Sequence, residues 1–316
     1  MKHIVMYSGG SGSKQAAKRV AKENGITELF LLFTDTLVED RDTYRYMIES
    51  ALHLYGVPAD SELLMMVEAI PDIKSEEDIE ERKRIMPLIA KATMVQAPNF
   101  IWLIDGRTPW DVFKDNRWIG NSRVAQCSHE LKQALSGRYI RDNYKPDEVI
   151  LYVGIDWSED HRMKGIIKHW APYTVVAPLT EEPYVTKHEI HLEDQQNGTR
   201  VQRMYRKGYA HANCGGFCVR AGKGHFINFL KDNPDYYKYN EKKEKDMQAY
   251  LDRSDVTVQF NSIFSHYEIN DEGKKLAKYK KIPYSLEQLR DDWENGLGLQ
   301  IDLEDIGGCG CFASYE

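Results

Sequence analysis

Two hydrophobic periods alternate along the first part of the chain. His3 to Tyr7 is a short, almost continuous apolar run and reads as a buried strand. It stops at Ser8-Gly9-Gly10-Ser11-Gly12-Ser13, and Ala16, Ala17 and Val20 then recur at helical spacing across Lys14 to Glu23. A second run, Glu28 to Phe33, ends at Thr34-Asp35-Thr36, and a helical pattern over Arg41 to Leu54 stops at Gly56-Val57-Pro58. Strand, helix, strand, helix at this spacing predicts an α/β fold, an open parallel sheet with helices on both faces. Further strands are expected at Ser61 to Val67, Phe100 to Ile104, Glu148 to Ile155 and Tyr173 to Ala177, and the charged run Asp72 to Arg84 reads as a solvated helix or loop.

The pattern changes near residue 180. A polar, basic stretch carries Lys187, Arg200, Arg203, Arg206 and Lys207. A glycine- and cysteine-bearing segment (His211 to Gly224), a charged helical region (Asn233 to Arg253) and a glycine-rich tail follow. The expected organisation is a phosphate- and nucleotide-binding domain at 1–179 and a smaller, mostly helical cysteine-bearing region at 180–316. With 316 residues, 42% of them hydrophobic, the chain can bury a core without disulfides. The balance of 42 basic and 49 acidic residues gives a net charge of -7 and no overall attraction to nucleic acid. Only a local patch such as Arg200 to Tyr209 is a candidate for phosphate and base contacts, with an ordinary solvated helix as the plainer alternative. No run is long enough for a membrane span or a signal peptide, so a soluble, cytoplasmic protein without a membrane partner is expected.

The turn at Ser8, Gly9, Gly10, Ser11, Gly12 and Ser13 follows a strand and opens a helix, the arrangement that a phosphate chain requires. Glycines let the backbone approach an anion, the first amides of the helix point at it, and the helix dipole favours negative charge. The string lacks the Gly-Lys-Ser/Thr ending of a Walker A loop and the third glycine of the dinucleotide fingerprint. Ser8-Gly9-Gly10-x-x-Ser13 resembles the Ser-Gly-Gly-x-Asp-Ser loop of the PP-loop, or adenine nucleotide alpha-hydrolase, family, with Gly12 where that family has Asp. The resemblance implies a Rossmann-like open sheet that binds adenine nucleotide beside the loop.

Later motifs are similar to the phosphoadenylylsulfate (PAPS) reductase-like branch of that family and to DNA phosphorothioation sulfurtransferases. Asp35-Thr36-Leu37-Val38-Glu39 is similar to their Asp-Thr-Gly-x-Glu segment, with Leu37 in place of glycine. The resemblance makes Asp35 and Thr36 nucleotide-site candidates, Asp35 also as a metal holder. A helix-capping carboxylate is the alternative. Cys127-Ser128-His129-Glu130-Leu131-Lys132 resembles their Cys-x-x-x-Leu-Lys motif, implying that Lys132 and Arg123 bind substrate phosphate or sulfate. Arg107 joins them as an arginine near the end of a strand, and structural ion pairs are the alternative for both arginines. Gly154 to Arg162 places Asp156, Glu159, His161 and Arg162 together at the end of another strand.

Four of the five cysteines form two glycine-flanked pairs, Cys214 with Cys218 and Cys309 with Cys311. Thiolates suit zinc or an iron–sulfur cluster, and a redox disulfide or plain buried thiols remain open. The order Cys127, Cys214, Cys218 resembles cluster-bearing members of the branch, which implies a [4Fe–4S] cluster with Cys309 or Cys311 as fourth ligand. The resemblance further implies an ATP- and Mg²⁺-dependent enzyme that adenylates a substrate, releases pyrophosphate and transfers sulfur or an amine from a donor, on nucleic acid among other acceptors, with Asp35 and Lys132 in the catalytic site. The alternatives are an adenylyl-sulfate reductase, with Cys309 or Cys311 as nucleophile and a thiol reductant as partner, and a nucleotide-sensing module without turnover.

Overall fold

The computed structural model describes residues 1–121, 124–269 and 275–297, without the side chains of residues 263 and 264. The expected α/β fold is present. Strands β1 (Lys2–Met6), β2 (Leu29–Asp35), β3 (Phe100–Ile104), β4 (Val149–Tyr152) and β5 (Thr174–Val176) form one parallel sheet in the order β3-β2-β1-β4-β5. In register, Val5 lies between Leu31 and Tyr152. Side chains alternate between two buried layers. Val5, Leu31, Phe33, Phe100 and Trp102 enter one core, and Ile4, Met6, Leu32, Ile101 and Leu151 enter the other. This double burial is why β1 and β2 read as continuous apolar runs.

The helices that connect and cover these strands are α1 (Ser11–Asn24), α2 (Arg41–Leu54), α3 (Ser61–Glu68), α4 (Glu76–Gln96), α5 (Pro109–Asn116), α6 (Gln126–Ser128), α7 (Leu135–Asn143) and α8 (Met163–Trp170). A π-helical stretch, His129–Ala134, joins α6 to α7. The strand expected at Ser61 to Val67 is instead α3. Asp60 caps it by accepting from the Glu62 amide at 3.0 Å, and Leu63 and Val67 bury one helical stripe while Met65 points outward. The charged run after Asp72 belongs to α4 and is not wholly solvated. Arg82 is buried and donates to the carbonyls of Leu37 (3.1 Å), Glu39 (2.8 Å) and Pro71 (2.9 Å), which fixes the loop after β2.

Beyond the sheet come α9 (Lys187–Gln196), α10 (Arg203–Arg206), α11 (Lys223–Asp232), α12 (Pro234–Leu251), the antiparallel ribbon β6 (Gln259–Ile269) and β7 (Lys275–Tyr284), and α13 (Leu286–Glu294). The boundary expected at 179 falls at the end of the sheet but does not divide the core. Phe217, Phe226, Phe229 and Tyr237 pack in one cluster with Val38, Ile79, Trp110 and Phe113. Among the described residues no helix is long and apolar enough to cross a membrane.

The chain runs outward from β1 to β2 and β3 and returns to place β4 on the other side of β1. Such a reversal opens a crevice at the carboxyl ends of β1 and β4, where open α/β sheets bind ligands.

Candidate functional site

The crevice is lined by the expected phosphate loop. Gly9 adopts φ +77°, a left-handed conformation that glycine enters without cost, and its neighbours Thr43 and Met47 leave little room for a side chain. Gly10 caps α1 without a side-chain hydrogen bond, whereas α2, α3, α5 and α9 are capped by Asp40, Asp60, Thr108 and Thr186. The first amides of α1 thus meet no capping side chain. Ser13 Oγ donates to the Gly10 carbonyl at 2.8 Å, and buried Ser11 Oγ has no partner among the described residues. Gln202, fully buried, donates to the Gly9 carbonyl and ties the loop to the region beyond the sheet.

Gly12 has a packing reason. A Cβ there would lie 2.6 Å from the Gly154 carbonyl oxygen, and a Cβ on Gly154 would lie 2.6 Å from the Ser13 amide nitrogen. The loop after β1 and the end of β4 therefore touch backbone to backbone. An aspartate at position 12 does not fit this approach.

Ser8, Gly10, Gly12 and Ser13 form one wall of a cavity of about 270 Å³. The facing wall carries Asp156, Glu159 and Arg162 from the segment after β4, and Lys187, Tyr205 and His211 from the region beyond the sheet. Arg162 pairs with Glu159, but its Nε is buried with no partner among the described residues. Both ring nitrogens of His211 are likewise buried and unpartnered, while the ring stacks on His225 at 5.2 Å. Burial, aided by His225, lowers the His211 pKa to about 3, so the ring is neutral near pH 7. Lys187 reaches the Ala210 carbonyl at 3.1 Å. His161 is exposed and does not line this cavity. Unsatisfied buried donors are rare in folded proteins, and their concentration around one bare helix terminus marks a place for a hydrogen-bonding ligand.

A smaller cavity, about 20 Å³, lies beyond Asn213 and is lined by Thr36, Cys127, Lys132, Cys214, Cys218 and Arg220 among others. Three of the expected cysteines and two of the expected polar residues thus meet here. At its side sits Glu39, fully buried, which accepts from Thr36 Oγ1 at 3.2 Å, from Lys132 Nζ at 3.2 Å and from the Cys214 amide. Lys132 is carried on the π-helical stretch, a distortion often found at functional sites. Cys214 takes φ +56° and is followed by Gly215 and Gly216, whose Cβ atoms would lie 2.7 Å from the Val38 carbonyl oxygen and 2.8 Å from Phe229. The Cys-Gly-Gly turn is packed tightly against the loop after β2.

No protein-family model matches the chain, and no curated protein matches its sequence.

The remaining expected site residues fall elsewhere. Asp35 lines neither cavity. It is fully buried and accepts from the Leu37 amide (2.8 Å), Tyr44 Oη (2.6 Å) and Trp102 Nε1 (3.1 Å), and desolvation raises its pKa to about 6. Leu37, in the position of the motif's glycine, has φ +66°, a conformation that costs a side-chain-bearing residue roughly 1–2 kcal/mol. Asp35 acts here as the acceptor that holds this turn. Arg107 is held by Asp105 (2.6 Å), Asp115 (2.9 Å) and Glu130 (2.9 Å) and lines neither cavity, so the ion-pair alternative describes it. Lys14 pairs with buried Asp194. Arg123, Cys309 and Cys311 lie outside the described residues. Among the described residues, no group of three or more His, Cys, Asp or Glu side chains is gathered for one metal ion.

The basic stretch is largely neutralised. Arg200 pairs with Asp42 (2.9 Å), Arg203 with Asp40 (2.8 Å) and Asp72 (3.1 Å), and Lys207 with Asp232. The pairs with Asp42 and Asp40 tether the region beyond the sheet to α2 and its capping residue. Sequence reasoning singled out Arg162 only as one of a dense group, and gave no role to His211 or Glu39. The signal for Glu39 was its match to the last position of the Asp-Thr-x-x-Glu segment. Nothing local marks His211 as lining the cavity.

Proposed function

We propose that this chain is a PP-loop enzyme of the PAPS reductase-like kind. In this reading it binds ATP in the larger cavity and adenylates a substrate for sulfur or amine transfer. The observation that carries the reading is the bare α1 terminus, which faces the unpartnered Arg162 Nε and the His211 nitrogens across about 270 Å³. Phosphate oxygens would accept from the amides of residues 11 to 13, from Arg162 and from the neutral His211 ring. Mg²⁺ arriving with the triphosphate fits the site, because Asp156 and Glu159 supply oxygens of the kind it takes, and its charge would offset that of the phosphates.

The chemistry then balances as two displacements. A substrate oxygen attacks the α-phosphorus, the bond to the α,β-bridging oxygen breaks, and pyrophosphate departs with that oxygen. A sulfur or nitrogen nucleophile next attacks the activated substrate carbon, and AMP leaves with the former substrate oxygen. The cysteine-lined cavity lies one residue away along the chain, since Asn213 lines one space and Cys214 the other. That proximity is the ground for assigning the second displacement to it.

The test is calorimetric titration of the full chain with ATP, together with pyrophosphate release, for the parent and Gly10→Val. Gly10 has extended backbone angles that valine accepts, and a Cβ there would be 3.5 Å from Tyr205 Oη, an ordinary contact. The variant should fold normally and lose ATP binding because its methyl groups enter the phosphate position. Unchanged ATP affinity in a folded Gly10→Val would falsify the loop assignment.

A further inference from the structure

The β6–β7 ribbon stands apart from the rest of the molecule in charge and exposure. Most of β7 is exposed, and ten residues of strand span about 33 Å. Its root is firmly held. The amides of Val258 and Leu286 donate to Glu244 at 2.6 and 2.7 Å, and Gln259 donates to the Ala221 carbonyl at 2.9 Å. Lys223 also reaches Asn261. The ribbon is therefore rooted on the segment directly after Val219 and Arg220, which line the cysteine cavity.

Register sorts its side chains into two faces. Ala277 pairs with Tyr267, and Lys275 with Ile269, so Lys275, Tyr279 and Lys281 share a face with Tyr267. On that face Tyr267 is 55% and Tyr279 61% exposed. Lys275 lies over the Tyr267 ring at 4.1 Å and Lys281 over Phe260 at 6.0 Å. Lys278 and Lys280 occupy the other face. Of these four lysines only Lys278 has a carboxylate partner among the described residues, Glu268 at 3.1 Å. In a chain of net charge -7, this sets Lys275, Lys280 and Lys281, which have no carboxylate partner among the described residues, beside exposed rings.

We propose that the ribbon binds a single-stranded nucleic acid. Unpaired bases would stack on Tyr267 and Tyr279, and Lys275, Lys280 and Lys281 would contact the phosphates. Stacking on exposed rings favours unpaired bases over a duplex, whose rings are already stacked. A second copy of the chain fits less well, because lysines along an exposed strand repel their own image. The inference does not depend on the nucleotide reading of the larger cavity.

The experiment is fluorescence anisotropy of a labelled 20-nucleotide oligothymidylate and of the corresponding duplex with the full chain, over a salt series. The single strand should bind more tightly than the duplex, with a log–log salt slope of about -2 for three phosphate contacts. K275E/K281E should weaken binding at least tenfold and flatten the slope, and Y267A/Y279A should weaken it at least tenfold with the slope kept. Both pairs should leave the circular dichroism spectrum unchanged. Single-strand binding that neither pair weakens, binding to the duplex alone, or concentration-dependent self-association abolished by K275E/K281E would overturn the proposal.

Discussion

The two cavities on either side of the Asn213–Cys214 link are built on opposite electrostatic plans. In the larger one the polar groups are waiting: α1 has no side-chain cap, and Arg162 Nε and both His211 nitrogens have no partner among the described residues. In the smaller one the buried carboxylate is already answered, with Glu39 holding Lys132, Thr36 and the Cys214 amide. A group satisfied within the protein contributes to folding, and one left unsatisfied gains its partner only when a ligand arrives. Substitutions of Glu39 and Lys132 should therefore be read out as stability, and those in the large cavity as affinity.

The largest effect is expected from Lys132→Met. The Glu39 carboxylate would stay buried with two neutral donors and no ion-pair partner among the described residues, a loss of about 3–5 kcal/mol by the rule for half-broken buried pairs. Adding Glu39→Gln should recover part of it, because the remaining donors then face a neutral acceptor. Urea denaturation of the two variants measures both steps. A loss below about 1 kcal/mol would mean that solvent or another group already carries the Glu39 charge.

Gly12→Asp comes next and touches the seam between loop and sheet. It restores the carboxylate of the PP-loop motif but places a Cβ 2.6 Å from the Gly154 carbonyl oxygen. Backbone cannot yield as a flexible side chain does, so the expected cost is about 1–3 kcal/mol of stability together with weaker ATP binding. Chemical denaturation and calorimetry on the same preparation separate the two. A variant of parental stability would show that α1 can shift away from β4.

These contrasts explain what the sequence could reveal. The sheet was legible because β1 and β2 are buried on both faces and their apolar runs end at turn residues. The glycine- and serine-rich turn was legible because it is local, six consecutive residues that lead from β1 into the first turn of α1. Ser61 to Val67 misled because Leu63 and Val67 satisfy a helical period inside the unbroken apolar run Leu63 to Val67, and only the Asp60 cap decides between strand and helix. Asp35 and Arg107 were visible as charged residues, but their partners, Tyr44, Trp102, Asp115 and Glu130, come from separate segments that only the fold unites. His211 lies nearly two hundred residues from the loop whose cavity it shares, so periodicity and spacing carry no trace of the meeting.

Arg162→Ala should move affinity and little else. Its partner Glu159 is 41% exposed and can be hydrated when the arginine is removed, so loss of the ion pair should cost less than about 1 kcal/mol of stability. A charged hydrogen bond to a phosphate is worth about 1.5–3 kcal/mol, which corresponds to roughly a tenfold to hundredfold weaker ATP titration. Equal affinity with normal folding would place the phosphates away from this wall and erase the contrast between the cavities there.

The last effect is the most selective. Burial lowers the His211 pKa from 6.5 to about 3, so between these values the unfolded chain takes up a proton that the folded chain does not. The stabilising contribution is complete above pH 6.5 and is lost as the pH falls toward 3. His211→Asn should remove it, so the parent's stability advantage should shrink steadily from pH 7 to pH 4 in a denaturation series. Phosphates bound beside the ring would favour its charged form and raise this pKa. Saturating ATP should then make the parent's acid limb shallower while leaving that of His211→Asn unchanged, after correction for the ligand's own linkage. The same slope with and without ATP would mean that the ring does not face the phosphates, and its two buried nitrogens would then need another ligand to satisfy them.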